Sequence, residues 1–295
     1  MDSSRQKHLD SMRGIAAFIV VVMHFFVVFY PYSIFGSRGN SLKHYGFESL
    51  FHTAPLGFMV AGYFAVCLFF ILSGYVLSYR YLGEADCRSR LIAAMVKRPV
   101  RLGGLVLFSV LLSAFLWSSG LYYNGALAGI TSPQPWFSVP WQGELVFNEF
   151  LSDVVFSLFS SGHKYNYPLW TISRELYGSL LVFAFLLFFS NNRYRLVFQF
   201  VLLALFKGSL YQGFLLGMIV ADINKNYDFG FFKRDSRFIS LVLLVLSLPA
   251  GRRDFAENVI RLPSETQRAG RRVFDVGGVH VISSGHQAFD YQGLF

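Results

Sequence analysis

Arg13 and His24 stand eleven residues apart in the apolar run RGIAAFIVVVMH. Ionisable side chains are costly in hydrocarbon and are usually functional where they occur. Eleven helical steps advance about 16.5 Å and come back to within about 20° of the starting direction, so the two side chains share one face. With Arg13 at a membrane boundary, His24 lies near mid-membrane on the same stripe. An imidazole near neutral pKa can take a proton from a hydroxyl, and a guanidinium can hold an anion. Taken singly, Arg13 reads as a boundary anchor and His24 as a histidine satisfied by a neighbouring helix. Together they read as two stations along one substrate path.

Three further stretches carry polar residues into apolar runs. PLWTISRELYGSLLVFAFLLFF contains the adjacent charges Arg174 and Glu175. Counted from Pro168, Glu175 lies about 10 Å into this helix, close to the depth set for His24, so the two can meet. A carboxylate on one ring nitrogen fixes the tautomer and raises the basicity of the other. The alternative is a structural ion pair of Glu175, with Arg174 or with His24. CLFFILSGYVLSYR places Ser73 and Gly74 about 24 Å below Gly57, at the depth of Arg13. They read as a small-residue packing site, or as a thin wall that lets a ligand approach the backbone. RLIAAMVKRPVRLGG brings Lys97, Arg98 and Arg101 to the entrance of the next run, where they set orientation and can also hold a phosphorylated cofactor.

These residues need a scaffold, and the composition names it. Of 295 residues, 54% are hydrophobic, 18% aromatic and only 15% charged. A soluble domain has about 25% charged residues, so the chain reads as an all-α, polytopic transmembrane helix bundle. The spans fall at Gly14–Tyr30, Gly57–Tyr79, Leu102–Tyr123 and Pro168–Phe189, with shorter runs at Tyr194–Phe206, Ser209–Ala221 and Phe238–Pro249. That predicts about six to seven membrane helices. Between Leu145 and Ser161, apolar residues at Phe147, Phe150, Leu151, Val154, Val155 and Leu158 predict one amphipathic helix at the interface, preceded by a Pro- and Trp-rich loop. The first run is too long for a signal-peptide core and reads as a retained anchor.

The net charge of +9 sits between apolar runs. Arg5, Lys7 and Arg13 precede the first span, and Arg80, Arg88, Arg90, Lys97, Arg98 and Arg101 follow the second, which predicts a cytoplasmic N-terminus in the plasma membrane or an endomembrane. Nothing points to a nucleic-acid partner, no zinc spacing exists, and Cys67 and Cys87 are not expected to pair. Residues 1–249 form the expected membrane domain. From residue 250 long apolar runs stop while Arg and Gly become common, so 250–295 reads as a polar, disordered tail.

HLDSMRGIAAFIVVVMH resembles the opening signature of acyltransferase family 3, the integral-membrane O-acyltransferases: a basic residue, ten residues, then His. FFILSG, VKRPVRL and PLWTISRELYG are similar to that family's next landmarks, in order, and YQGFLLGMIVADI resembles its later Gly-containing helix. The likeness covers about Lys7 to Asn224. It implies transfer of an acyl group, often acetyl, from acyl-CoA to a hydroxyl of a carbohydrate, lipid or small natural product. The donor is a substrate, with no permanently bound cofactor and no metal. Under the resemblance His24 matches the essential histidine, Arg13 the essential cation, Glu175 the acidic residue of the fourth motif, and Ser73 and Gly74 the small pair. The cation cluster Lys97, Arg98 and Arg101 then falls on the donor side. Family members carry more helices than are found here, so the chain reads as a member truncated at its C-terminus. A transporter or flippase, or an inactive relative, are the alternatives.

Overall fold

The computed structural model describes residues 3–36, 43–52, 56–84, 87–131, 146–159, 165–226 and 242–245. The Pro- and Trp-rich loop, most of the seventh apolar run and the expected polar tail lie outside the described residues. Those described are helical, with no strand among them. In chain order the helices are α1 (Ser3–Phe29), α2 (Tyr32–Phe35), α3 (Glu48–His52), α4 (Gly62–Tyr79), α5 (Arg88–Ser118), α6 (Asn124–Thr131), α7 (Phe147–Phe156), α8 (Trp170–Phe189), α9 (Arg195–Leu205) and α10 (Tyr211–Asn226). Single 3-10 turns at Leu56–Val60 and Tyr167–Leu169 lead into α4 and α8.

Among the described residues four helices are long and apolar enough to cross a membrane: α1, α4, α5 and α8. α9 has 11 residues and α10 has 16, both short of the roughly 20 that a bilayer core requires. The shorter runs at Tyr194–Phe206 and Ser209–Ala221 are therefore present as helices, but the full count of six to seven spans is not reached among the described residues. Two boundaries also differ from the apolar runs. α5 starts at Arg88, well before Leu102, because Leu91, Ala93, Ala94, Met95, Lys97 and Arg98 are all strong helix formers. The helix continues through Pro99, which cannot donate the backbone hydrogen bond of that turn. The second run is broken at Ala61, whose backbone leaves the helical region, so the helix proper begins at Gly62.

α4 is the central helix, with most of its residues buried, whereas most of the described residues of α1 are not. Among the described side chains of α1, Leu9, Ala16, Ile19 and Val27 are buried, while Ile15, Phe18, Val21 and Phe25 point outward, a distribution that suits hydrocarbon. α4 packs along α10 at backbone distance. A Cβ on Gly74 would lie 2.1 Å from the Phe214 carbonyl oxygen, and one on Gly217 would lie 2.1 Å from that of Ile71. Neither obstacle is a flexible side chain, so the two helices must part to admit a methyl group. Gly217→Ala is expected to cost about 1–3 kcal/mol or more, as overpacking does. Thermal unfolding of the purified protein measures it, with Gly104→Ala, which meets open space, as the control.

α7 forms as its spacing predicts, but only part of its apolar set turns inward. Phe150 and Val154 pack against Val106, Val110 and Tyr165, and Leu158 against Leu102 and Leu176, whereas Phe147, Leu151 and Val155 are exposed. Asp153 anchors the helix by accepting the Tyr165 backbone N–H at 2.8 Å.

At the opposite end of the bundle a polar network joins α9 and α10. The Arg195 guanidinium clamps the fully buried Asp222 carboxylate through Nε and Nη2 at 2.8–3.0 Å, and Gln199 donates to the same carboxylate at 3.0 Å. By charge alone Arg195, a cation between apolar runs, would only set orientation; the acid inside the next apolar helix is the signal that it has a partner. Nearby, Lys225 donates to Glu84 at 3.2 Å and holds its carboxyl below the usual carboxylate range.

Candidate active site

The intramembrane charges converge on α8. Glu175 accepts from Arg98 Nη2 of α5, and the Ser73 hydroxyl of α4 lies near enough to favour the carboxylate. Arg98 Nε donates to Ser179, one turn further along α8, at 3.1 Å. The two charged side chains are only 14% and 16% exposed. Arg13 of α1 lies close enough to act electrostatically on both, and Arg101 acts on Arg98. Arg13 also makes a half-exposed bond of 3.3 Å to Asp10. Four helices thus bring Arg13, Ser73, Arg98 and Glu175 to one level.

This level corrects the depth expected for Glu175. It lies with Arg13, and His24 stands eleven residues further along α1, about 16.5 Å away along the axis. The reason is axial offset. Cys87 at the start of α5 donates its thiol hydrogen to Ser190 at the end of α8 at 3.5 Å, so those two helix ends are level. Counting inward from them, Arg98 and Glu175 come within reach of each other. Glu175 is an ion-pair residue, as the structural alternative held, but its partner is Arg98 rather than Arg174 or His24.

His24 is held by its own helix. Nδ1 lies 2.7 Å from the Val20 carbonyl oxygen. A carbonyl only accepts, so the proton is on Nδ1 and the Nε2 lone pair is free to take another. The residue is partly buried and belongs to the packed stripe of α1 with Ala16 and Val20. The backbone carbonyl thus performs the orienting role expected of the Glu175 carboxylate.

The remaining expected residues divide. Ser73 joins the charge cluster. The face of Gly74 is covered by the α10 backbone, which accounts for a glycine there through helix packing. Arg98 turns inward, while Lys97 and Arg101 remain exposed on the adjoining face of α5. Ser179 was not singled out in the sequence; its signal is the i, i+4 spacing from Glu175. Among the described residues no group of three or more His, Cys, Asp or Glu side chains gathers as a metal site.

The chain matches a family model described as an acyltransferase domain, over residues 6–255. It belongs to acyltransferase family 3. No curated protein and no solved structure matches it. Membership makes the chain a membrane acyltransferase, and the first landmark of the family 3 resemblance, Arg13 and His24, lies on the packed side of the first helix. The later landmarks lie on α4, α5 and α8, which carry the charge cluster, and on α10, which packs along α4. A family 3 domain therefore holds a guanidinium–carboxylate cluster and, a long step away on one helix stripe, an imidazole with an available lone pair.

Proposed function

We propose that this protein transfers an acyl group, acetyl in the first instance, from acyl-CoA to a hydroxyl of a carbohydrate, lipid or small natural product. The observation that carries the reading is the His24 ring, whose Nδ1 is held by the Val20 carbonyl at 2.7 Å, an arrangement that makes Nε2 the nitrogen that can act as base. Nε2 takes the proton of the acceptor hydroxyl as its oxygen attacks the thioester carbonyl carbon. The carbon–sulfur bond breaks, the thiolate leaves, and the imidazolium returns the proton to sulfur. Donor and acceptor exchange one acyl group for one hydrogen, and the enzyme ends unchanged.

The separation of Arg13 from His24 suits a donor with phosphates at one end and the thioester at the end of a long thin arm. The cations Arg13, Lys97, Arg98 and Arg101 attract the phosphates. The N-terminus and these cations then face the cytoplasm, where acyl-CoA is found. The membrane domain extends to about residue 249, and 250–295 is a polar tail.

Arg13→Ala tests the donor side. A charge-assisted contact to phosphate is worth about 1.5–3 kcal/mol, which corresponds to about a 10- to 100-fold greater requirement for acyl-CoA. Arg13→Lys is expected to recover part of it, since a point charge still attracts phosphate. Donor titration with radiolabelled acyl-CoA measures both. Normal donor binding by a poorly inserted alanine variant would leave Arg13 a boundary anchor. Mass spectrometry of cell metabolites with and without the protein identifies the acceptor by its added acyl mass. A solute moved across the membrane without that mass would establish a transporter instead.

A further inference from the structure

Arg174 has no role in the transfer chemistry above, and among the described residues its guanidinium carries a buried donor that nothing accepts. Its neighbour Glu175 is taken by Arg98 and Ser73, and Arg13 is paired with Asp10. Arg174 Nε is buried and has no hydrogen-bond partner. A guanidinium presents its donors as a planar fork that matches two oxygens of one oxyanion, and a buried donor left unmade is destabilising. One turn further along the same face of α8, Gly178 lies against the Phe214 ring of α10, so Arg174 is directed to the α8–α10 side, away from the Glu175 cluster.

Its depth points to the ligand. Arg174 is four residues from the start of α8 at Trp170, about 6 Å along the axis. That end of the bundle carries Trp117, Tyr165 and Trp170, residues that settle at the membrane–water boundary. The guanidinium is therefore about one turn inside an interface. The residue is only partly buried, so an anion can reach its terminal amino groups and draw Nε–H into a bidentate contact.

We propose that Arg174 is a binding residue for a phosphate-class oxyanion at this mouth of the bundle. Two sources offer that chemistry: the phosphodiester of a lipid in the adjoining leaflet, and a free phosphate or phosphate-bearing solute. The proposal rests on the unpartnered, buried Nε of Arg174 and not on the transfer reaction.

Full-length protein in detergent is compared with Arg174→Gln and Arg174→Lys by native mass spectrometry. The probes are phosphatidylglycerol and a galactosyl diacylglycerol of the same chains, which lacks phosphate. For the lipid source, the wild type is expected to retain phosphatidylglycerol at least tenfold better than the galactolipid. Arg174→Gln loses that preference and Arg174→Lys keeps part of it. In the second arm, inorganic phosphate added to delipidated protein raises the melting temperature of the wild type but not of Arg174→Gln if the free anion is the source. Either arm with this dependence on Arg174 supports the site and names the source. Equal retention of phosphatidylglycerol by all three proteins, with no phosphate-dependent shift that separates them, overturns it. If Arg174→Gln does not fold, Arg174→Lys decides. The charge survives but the fork does not, so lipid retention or phosphate shift reduced at least threefold supports the site, and both unchanged overturn it.

Discussion

His24→Ala is expected to abolish acyl transfer while the protein still inserts and unfolds at its normal temperature. A positioned general base contributes about 10²- to 10⁴-fold, and the acceptor hydroxyl is a poor nucleophile without one. The fold loses little, because the imidazole's described bond is to the Val20 carbonyl of its own helix, which retains its backbone partner. Turnover with radiolabelled acyl-CoA measures the effect, and acyl-CoA binding should be unchanged, since Arg13 and its neighbours remain. His24→Gln separates shape from basicity: the amide can fill the site but cannot hold a proton, and it is expected to be as inactive as alanine. Wild-type turnover by either variant would remove His24 from the mechanism.

The second large effect is on the scaffold. Glu175→Ala leaves Arg98 buried with its charge unmatched, and breaking a buried pair by removing one member costs about 3–5 kcal/mol. Both side chains are well shielded, so little of that is lost to solvent screening. Arg98→Ala is expected to cost a similar amount, because it strands the carboxylate. The double variant Arg98→Met/Glu175→Leu is expected to recover most of the stability, since apolar groups of similar volume need no partner in hydrocarbon. It should not recover donor binding, which depends on positive charge at this level. Thermal unfolding of the wild type, Arg98→Met, Glu175→Leu and the double variant gives the coupling. Additive losses in the double variant would show that the two residues do not act as a pair. A double variant with normal donor binding would place the phosphates elsewhere.

The architecture was legible to the extent that it is local. α7 could be read because the i, i+3, i+4 spacing of Phe150, Val154 and their neighbours is a property of one helix. The start of α5 was hidden because the apolar run begins at Leu102, whereas helix formation follows backbone propensity and extends through charged residues that hydropathy discounts. Arg195 was hidden by a similar habit: a cation between spans looks fully explained by orientation, and only its clamp on Asp222 reveals the other use.

The sequence by itself determined the membrane class, the four long apolar helices, and the shared stripe of Arg13 and His24. Each of these depends on hydropathy or on the angle per residue along a single helix, and neither changes when other helices pack against it. Which charges meet was decided by tertiary structure. Glu175 and His24 looked level when Pro168 was taken as one membrane edge and Arg13 as the other, but axial offset between helices is set by where each begins and by what its end touches. α5 begins at Arg88, its Cys87 end sits level with Ser190 of α8, and that register brings Arg98, not His24, to the Glu175 carboxylate. The tautomer of His24 was likewise settled within three dimensions, by a carbonyl that can accept a proton's hydrogen bond but cannot supply one.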